Sequence, residues 1–189
     1  MKKFLSLLLA AAMLFSLAAC GSKNNDAGDA SQPADSLALL DTVWSSYSDD
    51  DKFPVMGGDT SEDNMVESAP GRFSIEDGDM LDYSLGYPAA DAGKLTDAAA
   101  LTHLMNANTF TAGAFHVTDA ADVDGIVSDL KDNILSRQWM CGFPDKLVIV
   151  TCGSYIVSCF GAEDLVDQFR DAVSAAFDSA AVVCDEPII

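Results

Sequence analysis

Two stretches of this chain are almost empty of charge, and they limit what it can fold into. Ala98 to Thr118 contains no Asp, Glu, Lys or Arg, and Lys146 to Gly161 contains one, Lys146. The rest of the chain is dense in acids, with 30 Asp and Glu against 10 Lys and Arg over 189 residues and a formal charge of −20. Segments that carry so little charge in so acidic a chain belong inside. Within the second stretch, Lys146–Thr151 and Tyr155–Phe160 are rich in Val and Ile and are separated by Gly153-Ser154, which predicts two strands joined by a two-residue hairpin turn. Val148, Val150, Val157 and Cys159 fall on one face of this hairpin, and Leu147, Ile149, Ile156 and Phe160 on the other. An antiparallel pair with one wet face alternates apolar and polar residues. This one is apolar on both, so either helices cover both faces or one face docks a partner.

The first stretch predicts a second hairpin. Ala112–Val117 is strand-like. Leu95–Asn106 is open between helix and strand, because its Ala content favours one and the alternation of Leu101, His103 and Met105 the other. A polar turn near Asn108 and Thr109 would join them. Three helices carry clear 3.6-residue stripes. Residues 36–48 present Leu37, Leu40, Val43, Trp44 and Tyr47 after the capping candidates Asp35 and Ser36. A helix from Thr118 or Asp119 to about Arg137 presents Val123, Ile126, Val127, Leu130 and Ile134. The last, about Glu163 to Ser179, presents Leu165, Val166, Phe169, Val173 and Phe177. Residues 50–71 read mainly as loop, Arg72–Ile75 as a short strand, and Asp79–Leu85 as a short helix closed by Gly86. The expected fold class is α+β: a mostly antiparallel four-stranded sheet of two hairpins, packed with about three main helices.

The N-terminus reads as a targeting segment. Lys2 and Lys3 precede an apolar run from Phe4 to Phe15, too short for a spanning helix of about 20 residues. Leu17-Ala18-Ala19-Cys20 follows, then Gly21 and Ser22. This pattern resembles the lipobox of bacterial lipoproteins. The resemblance implies a signal peptide over 1–19, a diacylglyceryl group on the sulfur of Cys20, and attachment to the extracytoplasmic face of the cell membrane through that lipid. Two acyl chains anchor stably where one does not. Residues 20–35 then read as the lipidated cysteine and a flexible tether, and 36–186 as a single domain. The acidity excludes nucleic acid as a partner, since phosphate binding needs clustered Lys and Arg. Attraction to anionic lipid by charge is excluded for the same reason. At 49% hydrophobic residues the chain is not an acidic disordered tail.

A second resemblance rests on the "HVTDAADVD" helix start at His116–Asp124, the hairpin "KLVIVTCGSYIVSCFG" at Lys146–Gly161, and the final helix. From Ala98 to Phe177 the chain looks like an uncharacterised domain family of Gram-positive lipoproteins, whose members are sometimes automatically named bacteriocin transport accessory proteins. The family offers no catalytic motif to carry over, so the resemblance implies fold and address only.

Little in the sequence suggests catalysis or a cofactor. A calcium loop aligned on Gly125 places Asp122 and Asp124 correctly but puts Ala120 and Lys131 at the end positions, where carboxylates are needed. Those two acids are better placed in the first turn of a helix. Asp49, Asp50 and Asp51 read as a solvated loop rather than a cation site. Of the cysteines beyond Cys20, Cys152 and Cys159 lie too far apart along the hairpin to bridge and read as core. Cys141 and Cys184 fall in predicted loops and are able to pair. His103 and His116 are the only histidines, and both fall in predicted strands beside apolar residues, where a structural role is expected. Two functions follow as expectations. The first is a non-catalytic binding or accessory module at the envelope, with a protein partner and no cofactor. The alternative is a small carboxylate- or histidine-dependent surface enzyme.

Overall fold

A computed structural model of the chain describes residues 32–140 and 142–189. Cys20 and Cys141 lie outside the described residues. The elements are α1 (Ser36–Ser45), β1 (Val55–Gly57), β2 (Val66–Glu67), β3 (Gly71–Phe73), α2 (Gly78–Leu85), β4 (Leu95–His103), β5 (Phe110–Val117), α3 (Val123–Leu135), β6 (Lys146–Cys152), β7 (Tyr155–Gly161), α4 (Glu163–Ala176) and β8 (Ala180–Pro187). Short 3-10 turns at Ala89–Lys94 and Ala120–Asp122 lead into β4 and α3.

All the strands join one antiparallel sheet in the order β2-β1-β4-β5-β7-β6-β8. β3 shares an edge of β4 with β1: β3 pairs with Ala98–Ala100, and β1 with Leu101–His103. The α+β class and the antiparallel sheet agree with expectation, but among the described residues the sheet has eight strands rather than four, and the expected short helix near Asp79–Leu85 joins the three main ones. The extra strands have identifiable reasons for escaping the pattern. β1 and β2 are three and two residues long, inside the Gly- and Asp-rich segment read as loop. β8 is an edge strand bonded only to β6, so half of its residues face solvent and it lacks the continuous apolar run of a central strand. The last helix stops at Ala176, a little short of the expected Ser179, and β8 begins at Ala180.

The two-faced apolar hairpin is answered by helices on both sides. On one face, α1 and α4 cover Ala99, Leu101, Ala112, Ala114, Val148, Val150, Val157 and Cys159, with Trp44 and Phe169 between them. On the other, α2 and α3 cover Ala98, Ala100, Phe115, Leu147, Ile149, Ile156 and Phe160. The product is a three-layer sandwich with two apolar interiors, each fully buried large side chain adding about 1.5–3 kcal/mol of driving force. Phe115 lies over Gly113, where an added Cβ would meet the ring at 2.6 Å. No described helix is long and apolar enough to cross a membrane.

Local signals account for the ends. Asp35 caps α1 by accepting from the Ala38 N–H at 2.7 Å, and Asp77 caps α2. Gly86 ends α2 in the left-handed conformation at φ 72°. The β6–β7 register pairs Cys152 with Tyr155 and Val148 with Cys159, as the two-residue turn requires. Cys184 is not in a loop: it is a buried residue of β8 opposite Ile149. The final residues of the expected tether are held against the fold. Arg72 bonds Asp35 at 2.7 Å, and the Tyr155 hydroxyl donates to the Pro33 carbonyl at 3.0 Å.

Candidate functional site: an apolar groove at one end of the sheet

The β4–β5 and β6–β7 turns lie at opposite ends of the sheet, because Phe110 of β5 pairs with Gly161 of β7 and His116 with Tyr155. At the β4–β5 end, four segments surround a groove of about 830 Å³: 58–65 after β1, the C-terminus of α2, the 104–109 turn, and 137–140 after α3. Its walls mix polar and apolar side chains, and the large apolar ones stand in solvent. Met105 and Tyr83 are each 80% exposed and Met140 79%, with Met65 and Leu104 about half exposed. Four of the five methionines after the first twenty residues, Met56, Met65, Met105 and Met140, line it. Large apolar side chains left in water in such numbers mark a contact surface.

Several polar side chains build the walls. The His103 ring stacks on Phe53, and its Nδ1 accepts from the N–H groups of Met105 and Asn106 at 3.3 and 3.4 Å, folding the turn over the ring. Asn108 donates through Nδ2 to the carbonyls of Met140 and Gly142, both at 2.9 Å, tying two walls that are 32 and 34 residues apart in sequence. Arg137 bonds the carbonyls of Asp82 and Tyr83 and the Asp82 carboxylate, and Asn133 bonds Gly86 O at 2.8 Å. Together they satisfy the free carbonyls at the end of α2. Burial lowers the Arg137 pKa against the pull of Asp82. The guanidinium also lies over Trp139, 5.6 Å from the ring centroid, and Trp139 packs on Phe160. The Trp139 indole N–H is buried without a partner.

Asp59 is the carboxylate in the lining. Burial alone would raise its pKa, but hydrogen bonds from Ser61, Asn64 and the Ser74 N–H hold it below the usual range. It is therefore a fixed anion whose lone pairs organise the 59–64 turn, poorly suited to take up a proton near neutrality.

His116 lies at the other end. Its Nδ1 is 3.2 Å from Asp97 Oδ2, and the ring stacks on Tyr155 at 4.3 Å. Asp97 also accepts from the Ser36 N–H at 2.8 Å, so the pair fastens the start of α1 to the sheet. The geometry has the imidazole and carboxylate of a nucleophile-activating site but no nucleophile. Ser36 is fully buried and its hydroxyl bonds the Asp97 carbonyl. Among the described residues, no hydroxyl or thiol bonds to either histidine. Burial also raises the thiol pKa values: Cys152 to about 11, Cys159 further, and Cys184 upward. They are protonated at neutral pH and weakly nucleophilic. Among the described residues, no three His, Cys, Asp or Glu side chains converge in a way that could hold a metal ion. Asp122 and Asp124 sit at the α3 N-terminus, and Asp51 bonds Ser48 in a surface turn.

Of the candidate functional residues named from sequence that lie among the described residues, only His103 lines the groove. The groove's own residues carried a faint signal. Leu104 and Met105 are large apolar residues in a hairpin turn, where no strand face exists to bury them. Trp139-Met140 and Phe143 follow α3 without any helical or strand period. No protein-family model, no curated protein and no solved structure matches this chain.

Proposed function

We propose that the chain is a lipid-anchored extracytoplasmic binding module without catalytic activity, held to the membrane through Cys20, with the groove as its working surface. The observation that carries this reading is the pairing of an exposed apolar lining with titratable groups already committed to structure. Met105, Met140 and Tyr83 stand in solvent, while His103, Asp59 and Arg137 are spent on backbone and side-chain bonds. The alternative surface enzyme would draw on a histidine and a carboxylate, and here the His103 Nδ1 is bonded to the 104–109 turn while Asp59 is held as an anion. Direction supports the reading as well. The chain enters the fold at Pro33, beside Tyr155, and the groove is at the far end of β5, eight residues away, or roughly 26 Å at strand rise. A domain tethered by its N-terminus presents this end away from the anchor, toward a partner at the envelope.

The test has two arms in intact cells. Cys20→Ala is expected to remain unprocessed or to leave the membrane fraction. Normal processing with full membrane retention would overturn the anchor. A photo-crosslinking amino acid at position 83 is expected to trap a discrete partner that the same probe at Asp178 does not. Recovery of free protein alone from position 83 would overturn the module.

A further inference from the structure

We propose that the groove takes a cationic amphipathic segment of another protein, with apolar side chains seated on the methionines and Lys or Arg residues toward the rim. The inference rests on the groove being the working surface and names its occupant. Charge argues first. The segments that frame the groove, 58–65, 82–86, 104–109 and 137–140, carry four carboxylates (Asp59, Glu62, Asp63 and Asp82) and one base. That base is Arg137, already bonded to Asp82. Elsewhere most of the described bases pair with acids, while Lys52 lies over the Trp44 ring. Lys146 and Arg170 bind Asp167 and Asp185, Arg170 also takes Asp171, and Lys131 takes Glu186. The groove is therefore bordered by acids with few local counter-charges, a potential that draws in a basic ligand and rejects an acidic one.

Shape argues next. A small-molecule site encloses most of its ligand. Here the most apolar walls, Met105, Met140 and Tyr83, are themselves about four-fifths exposed, so only an occupant long enough to lie across them removes them from water. Methionine suits such a partner, because its flexible, polarisable side chain adapts to varied apolar shapes. The groove's position away from the chain's entry at Pro33 disfavours membrane lipid as the occupant.

The experiment uses the purified mature chain and three labelled probe peptides of 14 residues: an alternating-face Lys/Leu helix, the same peptide with Glu for Lys, and the same with Ser for Leu. Fluorescence anisotropy reads binding at low salt. The Lys/Leu peptide is expected to bind at least tenfold more tightly than either of the others. Met105→Ser with Met140→Ser should weaken it about tenfold, and so should raising the salt from 50 to 300 mM, by screening the rim. Both methionines are exposed, so the variant keeps the fold, and an unchanged melting temperature checks this. Equal binding of the Glu/Leu peptide, binding indifferent to the methionine changes, or no binding of the Lys/Leu peptide would each overturn the proposal. If position 83 traps a partner in cells while the Lys/Leu peptide fails, the occupant is wrong and the module stands. If neither gives a signal, both fail.

Discussion

The two central hairpins contrast most at their turns. β6–β7 closes through Gly153-Ser154 alone, with every residue of β7 buried and the register set by the turn. β4–β5 is buried along the middle of its strands but opens into the six residues 104–109, whose Leu104 and Met105 stand in water and whose conformation depends on His103 and Asn108. The first turn is specified by its own two residues. The second is specified by contacts from elsewhere, and it carries the candidate site. A hairpin can thus be rigid in its ladder and functional at its tip, with stability drawn from one part and a working surface from the other.

This contrast predicts a gradient of mutational effects. The largest belongs to the ladder: Phe115→Ala, emptying a ring packed on Gly113 and Tyr87, is expected to cost about 3–5 kcal/mol in urea unfolding. A loss near 1 kcal/mol would mean that the sandwich interior on that side is loosely packed. Gly86→Ala comes next, at about 1–3 kcal/mol, because the left-handed φ of 72° strains any other residue and the new Cβ would meet Ile134 at 2.5 Å. Asn108→Ala removes the two bonds that join the groove walls and is expected to cost about 1 kcal/mol. It should speed amide exchange at Met105 and Asn106 while leaving the β6–β7 amides unchanged. Equal loosening of both hairpins would erase the contrast.

Acid should act on the ion network around Asp185 as well as on Asp59 of the groove. Hydrogen bonds from Lys146 hold the Asp185 carboxyl below its ordinary value, opposed by burial and aided by Arg170. A carboxylate with a lowered folded pKa contributes stability that is complete above the unfolded value of about 3.9 and is lost as the pH falls below it. Arg170→Gln should therefore flatten the decline in urea midpoint between about pH 4 and 2, and an unchanged decline would remove the ion network as its source. The smallest effect is expected from Met105→Ser, within about 0.5 kcal/mol of the parent by thermal melting, since the side chain is 80% exposed. A large loss would make Met105 a structural residue rather than part of a docking surface.

Helices and the strands β5, β6 and β7 were legible because their patterns are local, while β4 stayed open between helix and strand. Leu39, Leu40, Val43 and Trp44 bury one face of α1, and Ile126, Leu130 and Ile134 one face of α3, as a 3.6-residue period dictates. The turn at Gly153 needed no distant information. The short strands β1 and β2 were illegible because two or three residues hold no period, and β8 because an edge strand in water looks like a tail. Cys184 was misplaced with it. The groove was hidden for a further reason. Its walls come from segments as far apart as 58 and 140, and no spacing rule links Asn108 to Met140.

By itself, then, the sequence determined one nearly charge-free central hairpin and three amphipathic helices, since each follows from side-chain type and near-neighbour spacing. Only the tertiary structure decided that helices cover both sheet faces, that His116 and Asp97 fasten α1, and that the methionines share one groove. Those outcomes depend on contacts between residues tens of positions apart, which form only when burial of the two apolar interiors brings the segments together.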